Sequence, residues 1–272
     1  MKAAPFDYVR PATLEAACAA LAEDGVTSAA IAGGQSLLPM LSLRVAIVDQ
    51  LVDIGRLEEL KEVTLTPDVL RIGALITHAA IEDGNIPDVT NGLMRRVAGG
   101  ISYRAIRHHG TIGGSVALAD PAADWPGCLM ALGATVRIAG RSSERSEPVA
   151  DFIKGQYATS LALGEIVLGF EVPRRPASRW GFAKAARKSG AFANSIAVAV
   201  GRDQAAVVVL TAASTRPILM SNVGAQAAAG TEHALREAIA TDLAAQAPDI
   251  DAYQQRLHTA TILHALREMR RQ

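Results

Sequence analysis

The chain has 272 residues, 27 basic and 27 acidic side chains and two cysteines; 50% of its residues are hydrophobic and only 4% are aromatic. At about 150 residues per domain, this length predicts two domains with aliphatic cores. The balanced charge argues against nucleic-acid binding, which needs a surplus of basic residues on one face. Cys18 and Cys128 cannot supply the thiolates of an iron–sulfur cluster or of an all-cysteine zinc site, so we expect no metal site in this chain.

The sequence also carries no sign of export or membrane insertion. Its first residues, MKAAPFDYVRP, lack the apolar segment of a signal peptide. The longest apolar stretch, residues 191–201, is too short to cross a bilayer. We therefore expect no membrane span and a cytoplasmic protein with reduced thiols.

The first part of the chain shows a mixture of helical and strand patterns. Thr13 is a good N-cap for a helix of about ten residues that is stopped by Gly25. The other elements predicted there are strands at 29–32, 47–54, 134–139 and 166–172, a hairpin at 63–65 and 69–72, and helices near 37–41, 77–83, 89–98 and 125–132.

The pattern changes after Pro173-Arg174-Arg175-Pro176, the best linker in the chain, so we place a domain boundary near residue 176. Strand-like runs at 181–186, 195–200 and 205–211 precede an all-helical tail, in which we expect His258 and His264 to lie on the surface. The sequence therefore predicts an α+β protein with domains at residues 1–176 and 177–272.

Two glycine-rich turns carry the functional information. Residues 32–36 read AGGQS after a predicted strand, and residues 111–115 read TIGGS. Glycine lets backbone approach a ligand closely, and successive exposed N–H groups bind anions. Two such turns could hold one extended anionic cofactor, although neither matches the Rossmann or the Walker pattern. A single turn of this kind is more often only a tight turn. Nearby, we interpret His78 as a polar cap or a core residue, and His108 with His109 as a solvated loop pair.

Four segments resemble the FAD-binding medium subunit of molybdenum hydroxylases: AGGQSLLPMLSLR (32–44), IGALITH (72–78), GTIGGSVALADPAADWP (110–126) and GFAKAARKSGAFA (181–193). This family includes the flavoproteins of carbon monoxide dehydrogenase and of bacterial N-heteroaromatic and aldehyde dehydrogenases, and the middle part of xanthine dehydrogenase. The resemblance covers nearly the whole chain. The two glycine turns, in this order and separation, are far more specific together than either is alone.

The resemblance implies a FAD-binding domain of the vanillyl-alcohol-oxidase (PCMH) type in two subdomains, up to about residue 176. A small C-terminal domain of three antiparallel strands and a helical bundle would follow. The resemblance also implies site residues. Backbone N–H groups and hydroxyls that would bind the FAD diphosphate and ribityl chain belong to Ala32, Gly33, Gly34, Gln35, Ser36, Thr111, Gly113, Gly114 and Ser115.

Four further residues receive roles from the same resemblance. Asp124 would contact adenosine or ribityl hydroxyls, and Leu168 would border the isoalloxazine or the adenine. Lys184 would lie near the pyrimidine end of the flavin, and Phe192 would pack near one flavin face. The chain departs from the common family pattern at several positions: Gln35 for His, Ser115 for Asn, His108-His109 for Asn-Arg, Ala191 for Asp and Phe192 for Tyr.

The function implied is electron transfer, with no catalytic residue assigned in this chain. FAD would accept electrons from two-iron two-sulfur clusters of a small partner subunit and pass them to an external acceptor. A large molybdopterin subunit would hydroxylate the substrate (a N-heteroaromatic, an aldehyde or carbon monoxide) within a dimer of heterotrimers. Two alternatives stay open: a self-sufficient flavin oxidoreductase, which needs a general base that the sequence does not supply, and a non-catalytic assembly protein that has lost its flavin.

Overall fold

The computed structural model describes residues 2–175, 179–202 and 205–272. The predicted boundary near residue 176 lies outside these described residues. The strands are β1 (Asp7–Val9), β2 (Ser28–Ile31), β3 (Gln50–Asp53), β4 (Val63–Leu65), β5 (Val69–Gly73), β6 (Thr135–Ala139), β7 (Glu144–Pro148), β8 (Ile153–Gly155), β9 (Ala158–Thr159), β10 (Ile166–Pro173), β11 (Trp180–Ala185), β12 (Ser195–Arg202), β13 (Ala205–Thr211) and β14 (Ile218–Leu219).

Helices and strands are mixed along the chain, as the α+β prediction requires. The helices are α1 (Leu14–Leu21), α2 (Leu37–Leu43), α3 (His78–Glu82), α4 (Leu93–Gly99), α5 (Arg104–His109), α6 (Ile112–Leu118), α7 (Asp124–Leu132), α8 (Val149–Phe152), α9 (Ser221–Gln226), α10 (Glu232–Gln246) and α11 (Ala252–Arg271), with a 3-10 turn at Glu58–Lys61. No helix within the described ranges combines the length and the apolar character needed to cross a membrane.

The first sheet is a small parallel unit that positions one glycine turn. Its strands lie in the order β1-β3-β2, and α1 and α2 supply the crossovers that parallel neighbours need. Thr13 caps α1 as predicted, because its side chain accepts a hydrogen bond from the backbone N–H of Ala16. Residues 32–36 leave the carboxyl end of β2 and enter α2. Ligands of open sheets with parallel strands commonly bind at this edge.

The second sheet is antiparallel and has the order β4-β5-β10-β6-β7. Its central strand β10 pairs with β5 on one side and β6 on the other. The pairing with β6 shifts register between Val167 and Gly169, which makes Leu168 the extra residue of a β-bulge. The hairpin of β4 and β5 forms where the sequence predicts it.

The third sheet corrects one expectation. The resemblance implies three antiparallel strands in the C-terminal part, but the sheet has four, in the order β11-β12-β13-β14. The additional strand β14 is only two residues long and pairs with Val209 and Leu210. A strand of this length has no alternation of polar and apolar residues to reveal it.

Helix α7 links the two parts of the chain. Its sequence, DWPGCLMAL, is apolar around most of its circumference, and every residue except Met130 is buried. It packs against β10 on one side and against β12 and β13 on the other. One apolar cluster therefore contains both Phe170 of the second sheet and Val209 of the third. The opposite face of the third sheet packs against the helices α9, α10 and α11.

Candidate functional site

The two glycine turns lie against each other. Gly33 of the first turn packs on the backbone just before the second turn, where a side chain at Gly33 would overlap the carbonyl oxygen of His109. The same side chain would lie 3.1 Å from the Cα of Gly110. Glycine at this position is therefore required by contact between two segments of the chain rather than by contact with a ligand.

The second turn is held from behind by residues 74–78. The N–H of Gly113 donates to the carbonyl oxygen of Ala74 at 2.9 Å, and the N–H of Ile112 donates to that of Ile76 at 3.0 Å. A side chain on Gly113 would overlap Ala74. Thr111 caps α6 by accepting from the N–H of Gly114 at 3.0 Å. The backbone N–H groups of Gly113 and Gly114 are thus engaged within the protein.

The first turn is different, because its N–H groups are free. The backbone N–H groups of Gly33, Gly34, Gln35 and Ser36 donate to no acceptor within the described ranges. The Gln35 amide donates to the carbonyl oxygen of Gly33 at 2.8 Å and so holds the turn, while the Ser36 side chain makes no capping bond. Unpaired backbone donors need water or a ligand. The first turn therefore supplies a row of donors for an anion.

Both turns line one cavity of about 440 Å³. The predicted site residues that line it are Ala32, Gly33, Gly34, Gln35, Ser36, Thr111, Gly113, Gly114, Ser115, Asp124, Lys184 and Phe192. Much of the remaining lining is apolar and comes from Ile101, Ile106, Leu161 and Val167, among others. The structure therefore brings together residues from both predicted domains around a single cleft.

Leu168 is the predicted site residue that does not line the cavity. As the extra residue of the β10 bulge it is buried in a cluster that includes Cys18 and Leu57. Its neighbours Ile166 and Val167 line the cavity instead. A bulge reverses the alternation of side chains along a strand, and the sequence pattern did not reveal it.

Lys184 and Asp124 form a buried ion pair at the cavity wall. The Lys184 ammonium donates to the two carboxylate oxygens of Asp124 at 2.9 and 2.8 Å, and to the carbonyl oxygen of Gly100 at 3.1 Å. The side chains are 14% and 7% exposed. Burial raises the pKa of the Asp124 carboxyl, and the Lys184 ammonium opposes that shift. Asp124 and Lys184, to both of which the resemblance assigns a cofactor contact, are thus also paired with each other.

His78 is a lining residue to which the sequence interpretation gave only a structural role. It is the first residue of α3, is 5% exposed, and its Nδ1 accepts a hydrogen bond from the indole Nε1–H of Trp125 at 3.0 Å. Burial, helped by the charge of Arg107, lowers the pKa of His78 from its ordinary 6.5 to about 4. The imidazole is therefore neutral near pH 7.

Two acidic residues that the sequence interpretation did not assign also line the cavity, Asp120 and Glu165. Glu165 accepts two hydrogen bonds from Arg145, at 2.8 and 2.7 Å, and one from the N–H of Ala162. The hydrogen bonds from Arg145 hold the pKa of Glu165 below its usual range. Asp120 accepts from the N–H of Ala122 at 2.8 Å. The spacing DPAAD was the available signal for Asp120.

Of the positions that depart from the family pattern, Gln35, Ser115, Ala191 and Phe192 line the cavity, whereas His108 and His109 do not. His108 and His109 are the last two residues of helix α5, whereas the sequence interpretation placed them in a loop. His108 Nε2 accepts a hydrogen bond from Arg104 Nε at 3.1 Å. Phe192 is 66% exposed, and Ala191 lines the cavity beside it. Arg107, from the same α5, binds both carboxylate oxygens of Glu82. This ion pair holds in place the helix that leads into the second turn.

In residues 2–175, 179–202 and 205–272, no group of three or more His, Cys, Asp or Glu side chains could hold a metal ion. The two glycine turns and the apolar walls of their cavity are of a kind that suits an extended organic cofactor. Residues 4–175 match the family described as the FAD binding domain in molybdopterin dehydrogenase.

Comparison with individual proteins agrees with this match. The chain is 38% identical to the nicotine 6-hydroxylase medium subunit of Paenarthrobacter nicotinovorans, over 71% of this chain and 67% of that one. It is 38% identical to the glyceraldehyde dehydrogenase medium chain of Sulfolobus acidocaldarius, over 72% and 69%. A chain of the carbon monoxide dehydrogenase from Hydrogenophaga pseudoflava superposes with a TM-score of 0.92, at 28% identity and over 99% and 98% of the two chains.

The chain therefore belongs to the family of FAD-binding domains of molybdopterin dehydrogenases. It is an oxidoreductase flavoprotein, similar to the medium subunits of molybdenum hydroxylases. The resemblance stated from its sequence segments is confirmed.

Proposed function

We propose that this chain is the electron-transfer subunit of a three-component molybdenum hydroxylase. FAD bound in the cavity would receive electrons from two-iron two-sulfur clusters of a small partner subunit and pass them to an external acceptor. Substrate hydroxylation would take place on a large molybdopterin subunit, in a dimer of heterotrimers. The relatives support this proposal, since nicotine 6-hydroxylase and glyceraldehyde dehydrogenase medium subunits are named as parts of larger enzymes.

The observation that carries the proposal is the row of unpaired N–H donors at Gly33, Gly34, Gln35 and Ser36 beside an apolar cavity. These donors fit the diphosphate of FAD, and the apolar walls fit its ring systems. Bound there, FAD supplies a redox centre that the side chains of this chain do not provide. The second turn contributes shape and the hydroxyls of Thr111 and Ser115, because the N–H groups of its glycines are already used.

The other site residues keep their proposed roles with one addition. We infer that Asp124 and Lys184 meet the cofactor as an ion pair, since each lines the cavity while bound to the other. The exposed Phe192 ring would cover one flavin face from the rim of the cavity. Leu168 would act through the shape of the β10 bulge, which turns Ile166 and Val167 toward the cavity.

The finer description of the fold is part of the same proposal. Residues 1–176 would form the FAD-binding domain of the vanillyl-alcohol-oxidase type, with the parallel and the antiparallel sheet as its two subdomains. Residues 177–272 would form the smaller C-terminal domain. A cytoplasmic location stays a prediction, supported by the two free, buried cysteines.

The relatives support a choice among three classes of substrate for the whole enzyme, and the molybdenum subunit would select one of them. Named relatives act on a N-heteroaromatic compound, an aldehyde and carbon monoxide. We propose that the substrate of the whole enzyme belongs to one of these three classes. Nothing in the cavity of this chain selects among them.

The test is to purify the full-length chain with its co-expressed partner subunits and record the visible spectrum. We expect the absorption of oxidised flavin, release of FAD on denaturation, and bleaching when substrate is added to the complex. A colourless complex contradicts the proposal. Turnover of a small molecule by the chain alone, without iron–sulfur or molybdenum subunits, would favour the self-sufficient flavin oxidoreductase.

A further inference from the structure

His78 presents a single, fixed hydrogen-bond donor at the cavity. An indole N–H can only donate, so the bond from Trp125 Nε1 at 3.0 Å requires a lone pair on His78 Nδ1. In a neutral imidazole the one remaining proton then sits on Nε2. Trp125 therefore fixes both the tautomer and the orientation of the ring.

This Nε2–H has no partner within the protein. Residues 2–175, 179–202 and 205–272 supply no acceptor for it. The Nε2 atom is not one of the fully buried, unpaired side-chain atoms, so it is open to the cavity. His78 lines the cavity. A donor that the protein leaves unpaired bonds to water or to a ligand. The geometry thus leaves one oriented donor available to whatever occupies the cavity.

The position of this donor indicates which part of the cofactor it meets. A side chain on Gly110 would lie 2.9 Å from both Cδ2 and Nε2 of His78, and a side chain on Gly33 would lie 3.1 Å from the Cα of the same Gly110. The Nε2 edge of the ring therefore lies where the two glycine turns meet. The free N–H groups of the first turn begin at Gly33. Several N–H donors in one part of a cavity favour an anionic oxygen acceptor there.

We propose that His78 is a cofactor-binding residue whose Nε2–H donates to a phosphate oxygen of the FAD diphosphate, with Trp125 as the positioning residue. The inference rests on the proposed binding of FAD. Arg107, the nearby cation that acts on His78, is engaged by both oxygens of Glu82. A neutral donor thus adds to the backbone donors at this end of the cavity.

Two substitutions separate this role from a purely structural one. His78→Asn keeps an acceptor near the position of Nδ1 for Trp125 but has no atom that reaches the position of Nε2. His78→Gln can place an amide N–H near the position of Nε2. In the full-length chain stripped of FAD, we expect His78→Asn to raise the FAD dissociation constant about tenfold or more, and His78→Gln to raise it about threefold or less. Equal dissociation constants for wild type and His78→Asn would overturn the proposal.

Fragments of the cofactor locate the contact. We expect His78→Asn to weaken binding of ADP, which carries a diphosphate, and to leave binding of riboflavin, which carries none, unchanged. The reverse pattern would overturn the assignment to the diphosphate. Labelling histidines with ¹⁵N gives a readout that does not depend on activity: one histidine should show a protonated Nε2 whose resonance shifts when FAD binds. Trp125→Phe should introduce the other tautomer, and an unchanged spectrum would contradict the positioning role of Trp125.

The experiment also distinguishes this inference from the proposed function. If the wild-type chain, alone and in complex, binds no FAD, both fail. If the wild type binds FAD and His78→Asn binds it equally well, FAD binding stands and only the role of His78 is wrong.

Discussion

Lys184 on β11 binds both carboxylate oxygens of Asp124 at the start of α7, at 2.9 and 2.8 Å, across the junction between the second and third sheets. The two residues are far apart in sequence, and the pair is buried. Removing one partner of a buried pair leaves the other charge without compensation, which is worse than removing both.

The first prediction follows from this pair. We expect Asp124→Asn and Lys184→Met each to lower the free energy of unfolding by about 3 kcal/mol, and the double variant to lose at least about 1 kcal/mol less than the two single losses together. Urea denaturation of the four proteins measures this coupling. The exposed pair of Glu58 and Lys61 is the matched control, with an expected coupling below about 1 kcal/mol. Strictly additive losses at Asp124 and Lys184 would show that the ion pair contributes nothing.

The second prediction concerns Gly33. A methyl group at this position would overlap the carbonyl oxygen of His109, so the two turns must move apart. We expect Gly33→Ala to lower the free energy of unfolding by about 1–3 kcal/mol and to reduce the FAD content of the purified chain. Gly155→Ala is the control, because a methyl group there meets no atom within 4 Å. If both variants kept FAD equally well, the contact between the turns would not shape the cavity.

The third prediction is a pH dependence. His78 has a native pKa of about 4 against an ordinary 6.5, because burial disfavours its charged form. Between pH 6.5 and pH 4, His78 binds a proton in the unfolded chain but stays neutral in the native chain. The stability that depends on a neutral His78 is therefore fully present above pH 6.5. The free energy of unfolding then falls by about 3 kcal/mol as the pH approaches 4. Denaturant unfolding between pH 7 and 4 should give a shallower decline for His78→Gln. The same slope as wild type is expected for the exposed control His264→Gln.

The fourth prediction compares two arginines on α5. Arg107 is 11% exposed and binds both oxygens of Glu82 together with the carbonyl oxygens of Ile101 and Ser102. Lysine cannot reproduce this fork, so we expect Arg107→Lys to lower the free energy of unfolding by about 2 kcal/mol and to weaken FAD retention. Arg104, which is 42% exposed, is the control, and Arg104→Lys should have a much smaller effect. Equal losses from both variants would contradict a larger structural role for the partly buried set of contacts at Arg107 than for the exposed contacts at Arg104.

Much of the fold could be predicted because its elements are strongly patterned. The strands β2, β6 and β10 form close to the apolar segments that predict them, and Thr13 caps α1 as predicted. The strand β7, with the sequence ERSEP, is an exposed edge strand without apolar alternation, and no local pattern reveals it. His258 was expected on the surface but is fully buried, and its Nδ1 lies 2.9 Å from Ser195 Oγ. Helical spacing gives the face of a residue on α11 but not the sheet that covers that face.

The cavity could be located from the two glycine turns, but which of its groups are free to bind a ligand could not. The sequence suggested that the glycines allow a ligand to approach the backbone. In the structure, Gly33 and Gly113 instead allow His109 and Ala74 of the same chain to pack closely against them. It suggested similar roles for the two turns, whereas the N–H groups of Gly33, Gly34, Gln35 and Ser36 find no acceptor in the described part of the chain and those of Gly113 and Gly114 are bonded. Both differences depend on which distant segments meet, and that information exists only in the folded chain. The donor on His78 could not be predicted for the same reason, since the distant Trp125 sets its tautomer.

The contact between Gly33 and His109 makes the cavity a feature of the native state alone. A ligand that touches both turns cannot bind the unfolded chain, so each tenfold increase in free ligand above its dissociation constant adds about 1.4 kcal/mol of stability. Chains synthesised faster than the cofactor is supplied would therefore open more often and be exposed to proteases. The abundance of this subunit in a cell would then report on the availability of its cofactor as well as on the expression of its gene.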